Sequence, residues 1–220
     1  MGKYELESAR RTAMNCAKSY RDILCNKRFI VIYRDAITNN IEYIEIVFLA
    51  RNYQHLTGLN LVNEKGEIIE NHSEDFFRRC VDNKLKTSEI SFRNDGTTTL
   101  KIEALPMITK FTSVTKITGE SNDKQPFLYV DKLVGGVNVC IGLRKDENEG
   151  CYVPVSSLQR DIKELTDNPS QVLAIFEKEY EDNSEYQRIR HVAKGLNLNS
   201  IKMPQELKER ISLEYYTCPS

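Results

Sequence analysis

Phe29-Ile30-Val31-Ile32-Tyr33, a turn-rich Asp35-Ala36-Ile37-Thr38-Asn39-Asn40, and then Ile41-Glu42-Tyr43-Ile44-Glu45-Ile46-Val47-Phe48-Leu49 form the stretch that decides the fold. Both flanks are built from β-branched and aromatic residues, which suit a pleated surface. The short linker between them is made of turn formers, so the flanks read as an antiparallel hairpin. Neither flank alternates cleanly between apolar and polar. The first is a continuous apolar run, and the second is broken only by Glu42 and Glu45. Strands that are apolar on both faces must be covered on both, so helices have to pack over this sheet.

Working outward, Leu6, Ala9, Ala13, Cys16, Ala17, Tyr20, Ile23 and Leu24 recur at three- and four-residue steps, which predicts an amphipathic helix over 4–24. Downstream of the hairpin, Ser73 with Glu74 and Asp75 starts a helix that carries Phe76, Phe77, Cys80 and Val81. Ile90–Phe92 and Thr98–Ala104 flank Asn94-Asp95-Gly96 and predict a second hairpin. On its second strand Leu100, Ile102 and Ala104 would share one face, leaving Thr99, Lys101 and Glu103 on the other. A short helix is expected after Pro106. Strands are expected at 127–130, 137–143, 151–153 and 172–176, with a helix from Ser156 or Ser157 to Leu165. The tail from Ser184 reads as helical, in two pieces separated by Gly195 and Pro204. The sum is an α+β fold: a curved, mostly antiparallel sheet with an N-terminal helix, flanking helices and a C-terminal helical extension. The core domain would occupy 1–180 and the extension 184–220.

Composition sets the bounds on function. Apolar residues make up 40% of the chain and charged residues 29%, which fits a globular core and excludes a disordered chain. The formal net charge of −1 removes any whole-molecule basic face, so a nucleic-acid contact must come from a local pocket. The cysteines include no CxxC pair, which argues against structural zinc, and no metal or cofactor site is expected. The first residues lack a signal-peptide core, and no run approaches the ~20 apolar residues of a membrane span. A cytoplasmic, reduced protein with no membrane contact is the expectation.

The candidate chemistry centres on His55-Leu56-Thr57-Gly58, placed in a polar break after the second strand. A histidine near its ordinary pKa is a natural acid or base at neutral pH. In extended structure Thr57 would share a face with it, and Gly58 permits a close backbone approach. The alternative is a structural histidine in a turn, with Thr57 capping the next segment. His72 beside a helix start and His191, expected in a helix with Arg188, Arg190 and Lys194, read as solvated residues. No carboxylate pattern suggests a metal, and neither a phosphate-cradling glycine loop nor a GxSxG motif is present.

Tyr53-Gln54-His55-Leu56-Thr57-Gly58 after a strand, Asp95-Gly96-Thr97-Thr98-Thr99-Leu100-Lys101, and Tyr152-Val153-Pro154 leading into Ser156-Ser157-Leu158 together carry a resemblance. From Phe29 to Tyr180 the chain resembles the phage- and mobile-element-associated branch of the barnase–EndoU–colicin–RelE-like nuclease superfamily. That resemblance implies metal-independent RNA cleavage through the ribose 2′-hydroxyl. His55 would be the acid or base, Thr57 would orient it or the phosphate, and Lys101 would be the cation. Lys132, Ser156 (as an anion-binding helix start) and Arg51 would contact substrate. The acid–base pair remains incomplete, since neither a second histidine nor a glutamate stands out.

Three functions compete. An RNase or RNase-type toxin, with RNA as substrate and an antitoxin as partner, predicts a cationic cleft around His55. An inactive relative that binds protein or RNA as an inhibitor predicts an exposed apolar patch, with His55 buried or tied to backbone. An ADP-ribose-handling transferase would need an adenine pocket and a catalytic glutamate, neither of which the sequence supplies.

Overall fold

The computed structural model describes residues 3–122, 129–214 and 216, with the side chains of residues 3 and 4 excluded. In chain order the elements are α1 (Lys3–Ile23), β1 (Lys27–Arg34), β2 (Ile41–Phe48), α2 (Ala50–Thr57), β3 (Leu59–Leu61), α3 (Ser73–Val81), β4 (Ile90–Phe92) and α4 (Thr98–Ile108). They continue with α5 (Phe111–Val114), β5 (Ile117–Gly119), β6 (Lys132–Gly135), β7 (Cys140–Asp146), β8 (Cys151–Leu158), β9 (Ser170–Glu179), β10 (Arg188–Val192) and α6 (Gln205–Lys208).

The deciding hairpin forms as read. Phe29 pairs with Ile46 and Val31 with Ile44. Its turn is held by the Asp35 carboxylate, which accepts hydrogen bonds from the amides of Ile37 (3.1 Å) and Thr38 (2.7 Å). The sheet does more than curve. Strands run β1-β2-β8-β7-β6-β5-β9, and β9 pairs back onto β1, closing a seven-stranded barrel. Every pairing in the ring is antiparallel except β2 with β8, which meet in parallel at Ile46 and Tyr152. Closure leaves fewer unpaired edges than an open sheet.

Both faces of the hairpin are covered, as its composition requires. Phe29, Val31, Ile44, Ile46 and Phe48 belong to the main core with α1, α2 and α3. Ala13 and Ala17 let α1 approach closely, and Tyr20, Tyr53 and Phe77 stack with centroids 4.9–5.5 Å apart. On the opposite face Ile30 and Ile32 pack with Tyr186, Leu198, Met203, Leu207 and Ile211 of the C-terminal segment.

Four expectations are corrected. The break after β2 is helix α2, because Tyr53 and Leu56 are spaced to bury one stripe of a helix. Thr98–Ala104 is the start of helix α4, not a hairpin strand. The Asp95 carboxylate accepts from the Thr97 amide at 2.9 Å and turns the chain into the helix, so Asn94-Asp95-Gly96 is a helix entry. Ser156 and Ser157 lie inside strand β8, and only a 3-10 turn at Ile162–Glu164 follows. The tail is not mainly helical. Arg188–Val192 is a strand on the free edge of β9, and α6 is a single turn. Of the strand expected at 127–130, residues 127 and 128 lie outside the described residues, and Tyr129 and Val130 are irregular. Among the described residues, no helix is long and apolar enough to cross a membrane.

Candidate active site

Helix α2 presents His55 outward because its neighbours are committed inward. Asn52, Tyr53, Leu56 and Thr57 are buried, while His55 is exposed. The Asn52 side-chain oxygen accepts from the Leu49 amide at 2.9 Å and fixes the start of the helix. At the other end Gly58 adopts φ +67°, the left-handed conformation in which a chain leaves a helix and which glycine enters without strain. Thr57 donates to the Gln54 carbonyl at 2.8 Å and accepts from the Leu59 amide at 3.1 Å. Its hydroxyl therefore closes the helix. It does not share a face with His55, because residues two apart on a helix diverge.

The segment from β4 to α4 meets the end of α2. Arg93 Nη2 lies 3.1 Å from His55 Nδ1. A guanidinium can only donate, so Nδ1 accepts and a neutral His55 ring carries its proton on Nε2. Lys101 follows on α4. It is 5% exposed, and its aliphatic stem packs so closely on Gly58 that a Cβ there would stand 3.0 Å from Lys101 Cδ. Arg144 on β7 is exposed and donates to the Tyr129 carbonyl. His55 and Arg144, but neither Arg93 nor Lys101, line a cavity of about 380 Å³, together with Arg51, Asp146, Glu147 and Val155. A larger cavity of about 560 Å³ lies between α1 and α4, but neither a histidine nor a cation lines it, so the chemistry points to the smaller one.

Electrostatics single out the same cluster. Crowding by surrounding protein, then Arg93, Lys101 and Arg144, push the His55 pKa below its ordinary value. Burial, reinforced by Arg93 and opposed by Asp95, brings the Lys101 ammonium down to about 8. Lys101 has no carboxylate or hydrogen-bond partner among the described residues. Among the described residues, every arginine except Arg34, Arg93 and Arg144 lies within ion-pair distance of a carboxylate. Arg93 Nε is moreover buried without a partner. Two arginines and a lysine without an ion pair among the described residues thus act on one exposed imidazole, Arg93 by direct contact and Lys101 and Arg144 through their charge, in a chain of net charge −1.

The remaining expected site residues fall elsewhere or are engaged. Arg51 lines the His55 cavity but is held by Glu149 at 2.7 Å and Asp146 at 3.6 Å. Lys132 donates to the Tyr33 hydroxyl at 3.2 Å in a separate cavity of about 200 Å³ that also contains Asp35 and Ser170. Ser156 is buried in a strand beside Gly142, which removes the anion-binding helix start expected of it. The adjacent Ser157 donates to the Leu56 carbonyl of α2 at 3.2 Å, and successive strand residues face opposite sides, which turns Ser156 away from α2. His72 precedes α3 and is exposed, while His191 lies on β10 with both ring nitrogens 3.2 Å from Lys116 Nζ. Arg93 and Arg144 were not legible as site residues. An arginine that lacks a carboxylate partner leaves no mark on the linear sequence. Burial raises the thiols of Cys16, Cys25, Cys80, Cys140 and Cys151 to about 11 or 12, so none is a ready nucleophile. The described residues contain no group of three or more His, Cys, Asp or Glu able to hold a metal.

The fold is a closed barrel that presents an exposed imidazole beside cations. The chain belongs to the phage-Barnase-EndoU-ColicinE5/D-RelE like nuclease4 family, whose model matches residues 13–194, from within α1 to just past β10. Searches of curated proteins and of solved structures each found no match.

Proposed function

We propose that this nuclease is an endoribonuclease that cleaves RNA by attack of a ribose 2′-hydroxyl on the adjacent phosphodiester, and that it acts in phage or mobile-element conflict. The carrying observation is the set of unpaired cations, Arg93, Lys101 and Arg144, around exposed His55. Cations without carboxylate partners in a half-buried site are poised for an external anion, here the phosphodiester. They can supply the positive charge that would otherwise fall to a metal ion.

In the reaction the 2′-oxygen bonds to phosphorus as the bond to the 5′-oxygen breaks, leaving a 2′,3′-cyclic phosphate and a 5′-hydroxyl. His55 takes the 2′-hydroxyl proton. Its lowered pKa keeps the ring neutral and able to accept at neutral pH. The accepting atom is Nδ1, which opens to the 2′-hydroxyl when the Arg93 guanidinium, held beside the ring, exchanges its hydrogen bond to Nδ1 for one to the arriving phosphate. Arg93 and Arg144 then share the charge on the non-bridging oxygens. Lys101 is still protonated at pH 7 but more acidic than an ordinary ammonium. It can surrender a proton to the leaving 5′-oxygen, which completes the acid–base pair that the sequence left open.

An inactive binding relative fits less well. His55 is exposed and its polar contact is a side chain, and the exposed large apolar residues Ile37, Ile68, Leu100, Tyr129 and Val137 are spread over separate segments. An antitoxin would act by covering the His55 cavity. The test is end-group analysis of a cleaved synthetic RNA. The expected products carry 2′,3′-cyclic phosphate and 5′-hydroxyl ends, and 2′-O-methylation of the scissile nucleotide abolishes cleavage. Cleavage of the methylated RNA, or products with 5′-phosphate ends, would contradict the mechanism.

A further inference from the structure

We infer that the buried hydroxyl of Thr98 is a positioning group that locks Arg93 against His55, a role that rests on the His55 cavity being the reacting site. Thr98 opens α4 and is 2% exposed. Its Oγ1 donates to the Gly58 carbonyl at 2.7 Å and accepts from the Arg93 amide at 3.1 Å. One hydroxyl therefore joins the end of the helix that carries His55 to the backbone of the residue whose guanidinium contacts that histidine.

The contacts form a closed circuit. His55 lies one helical turn before Gly58, Gly58 is bonded to Thr98, Thr98 to Arg93, and the Arg93 side chain returns to His55 Nδ1 at 3.1 Å. Gly58 tightens the joint, because a Cβ there would stand 3.0 Å from both the Thr98 Cα and the Lys101 Cδ. A closed circuit of short contacts leaves the guanidinium little freedom to drift from the ring, which is the preorganisation that acid–base sites require. The same circuit sets Lys101, one turn further along α4.

The test pairs Thr98→Val, which keeps the shape and removes the hydroxyl, with Thr98→Ser, which keeps the hydroxyl. The first readout is NMR titration of the His55 ring. Thr98→Val should move its midpoint upward as Arg93 withdraws, while Thr98→Ser leaves it in place. The second readout is cleavage of a short RNA, with kcat expected to fall at least tenfold in Thr98→Val, KM to change less, and Thr98→Ser to restore most of the loss. Arg93→Met breaks the circuit without touching the buried hydroxyl and should shift the His55 midpoint in the same direction. It serves as the decisive variant if Thr98→Val does not fold. An unchanged midpoint in the folded Thr98→Val or Arg93→Met protein overturns the inference. If the wild type cleaves no RNA, the proposed function fails, while the titration still decides whether Thr98 and Arg93 set the state of His55.

Discussion

Lys101→Met should make the protein more stable and less active at the same time. The wild-type lysine is 5% exposed as a residue and has no hydrogen-bond or ion-pair partner among the described residues, and its pKa lies at about 8 instead of the ordinary 10.5. At about 1.36 kcal/mol per pH unit, this displacement corresponds to about 3 kcal/mol spent on keeping the charge buried. The sign follows from proton binding. Below pH 8 the lysine is charged in both states and the folded protein bears the full penalty. Between about 8 and 10.5 the unfolded chain binds more protons, so wild-type stability rises with pH across that window. Methionine fills similar space without charge, so the variant should be more stable at pH 7 by up to about 3 kcal/mol, a melting temperature higher by roughly 6–12 °C for a chain of this size. The advantage should shrink as pH climbs from 8 toward 10.5. RNA cleavage should fall about 100-fold, the scale of losing one preorganised charge from a reacting site. Urea unfolding at pH 7 and pH 10, beside initial cleavage rates, checks both halves. A variant that is no more stable at pH 7, or that cleaves like wild type, refutes the reasoning.

The same geometry makes three other substitutions informative. Arg144→Ala should weaken RNA cleavage about tenfold, mainly through KM and with a shallower salt dependence, while changing stability by less than about 1 kcal/mol, because the residue is exposed and carries no ion pair. Gly58→Ala should cost about 1–3 kcal/mol in urea unfolding, since φ is +67° and the new Cβ meets Lys101 and Thr98 at 3.0 Å. Glu177, 1% exposed between Arg188 at 2.8 Å and Arg190 at 3.0 Å, anchors β10 to β9, so Glu177→Leu should destabilise by about 1.5–3 kcal/mol and raise amide exchange in β10 first.

Much of the fold was legible where one signal acted alone. The unbroken apolar runs of β1 and β2, the helical stripe of α1 and the Ser73 start of α3 all stand where the sequence put them. The misreadings arose where two signals competed. In Thr98–Ile108 the alternation of Leu100, Ile102 and Ala104 masked the helical spacing of Lys101, Ala104, Leu105 and Ile108, which are the residues that are buried. A lysine inside that stripe hid it further, since a buried lysine is rare. Ser156-Ser157 carried a helix-cap signal, but β8 buries both serines, and Ser157 satisfies a carbonyl of α2. Closure of the barrel depends on β9 meeting β1, a pairing between segments more than a hundred residues apart that no local pattern encodes. Within the candidate site, His55 and Lys101 can be proposed from the sequence by residue type alone, whereas Arg93 and Arg144 enter only through knowing which cations lack carboxylates in the fold. Thr57 was singled out for its closeness to His55 in sequence, but helical geometry turns it inward.

Cleavage of total RNA by purified protein in excess EDTA, comparing wild type with His55→Ala after both are shown to melt alike, tests the central claim most directly. The account predicts that wild type cleaves and His55→Ala loses at least 100-fold of that rate, consistent with removal of a general base. Equal cleavage by both proteins, or none by either while both remain folded, would contradict it.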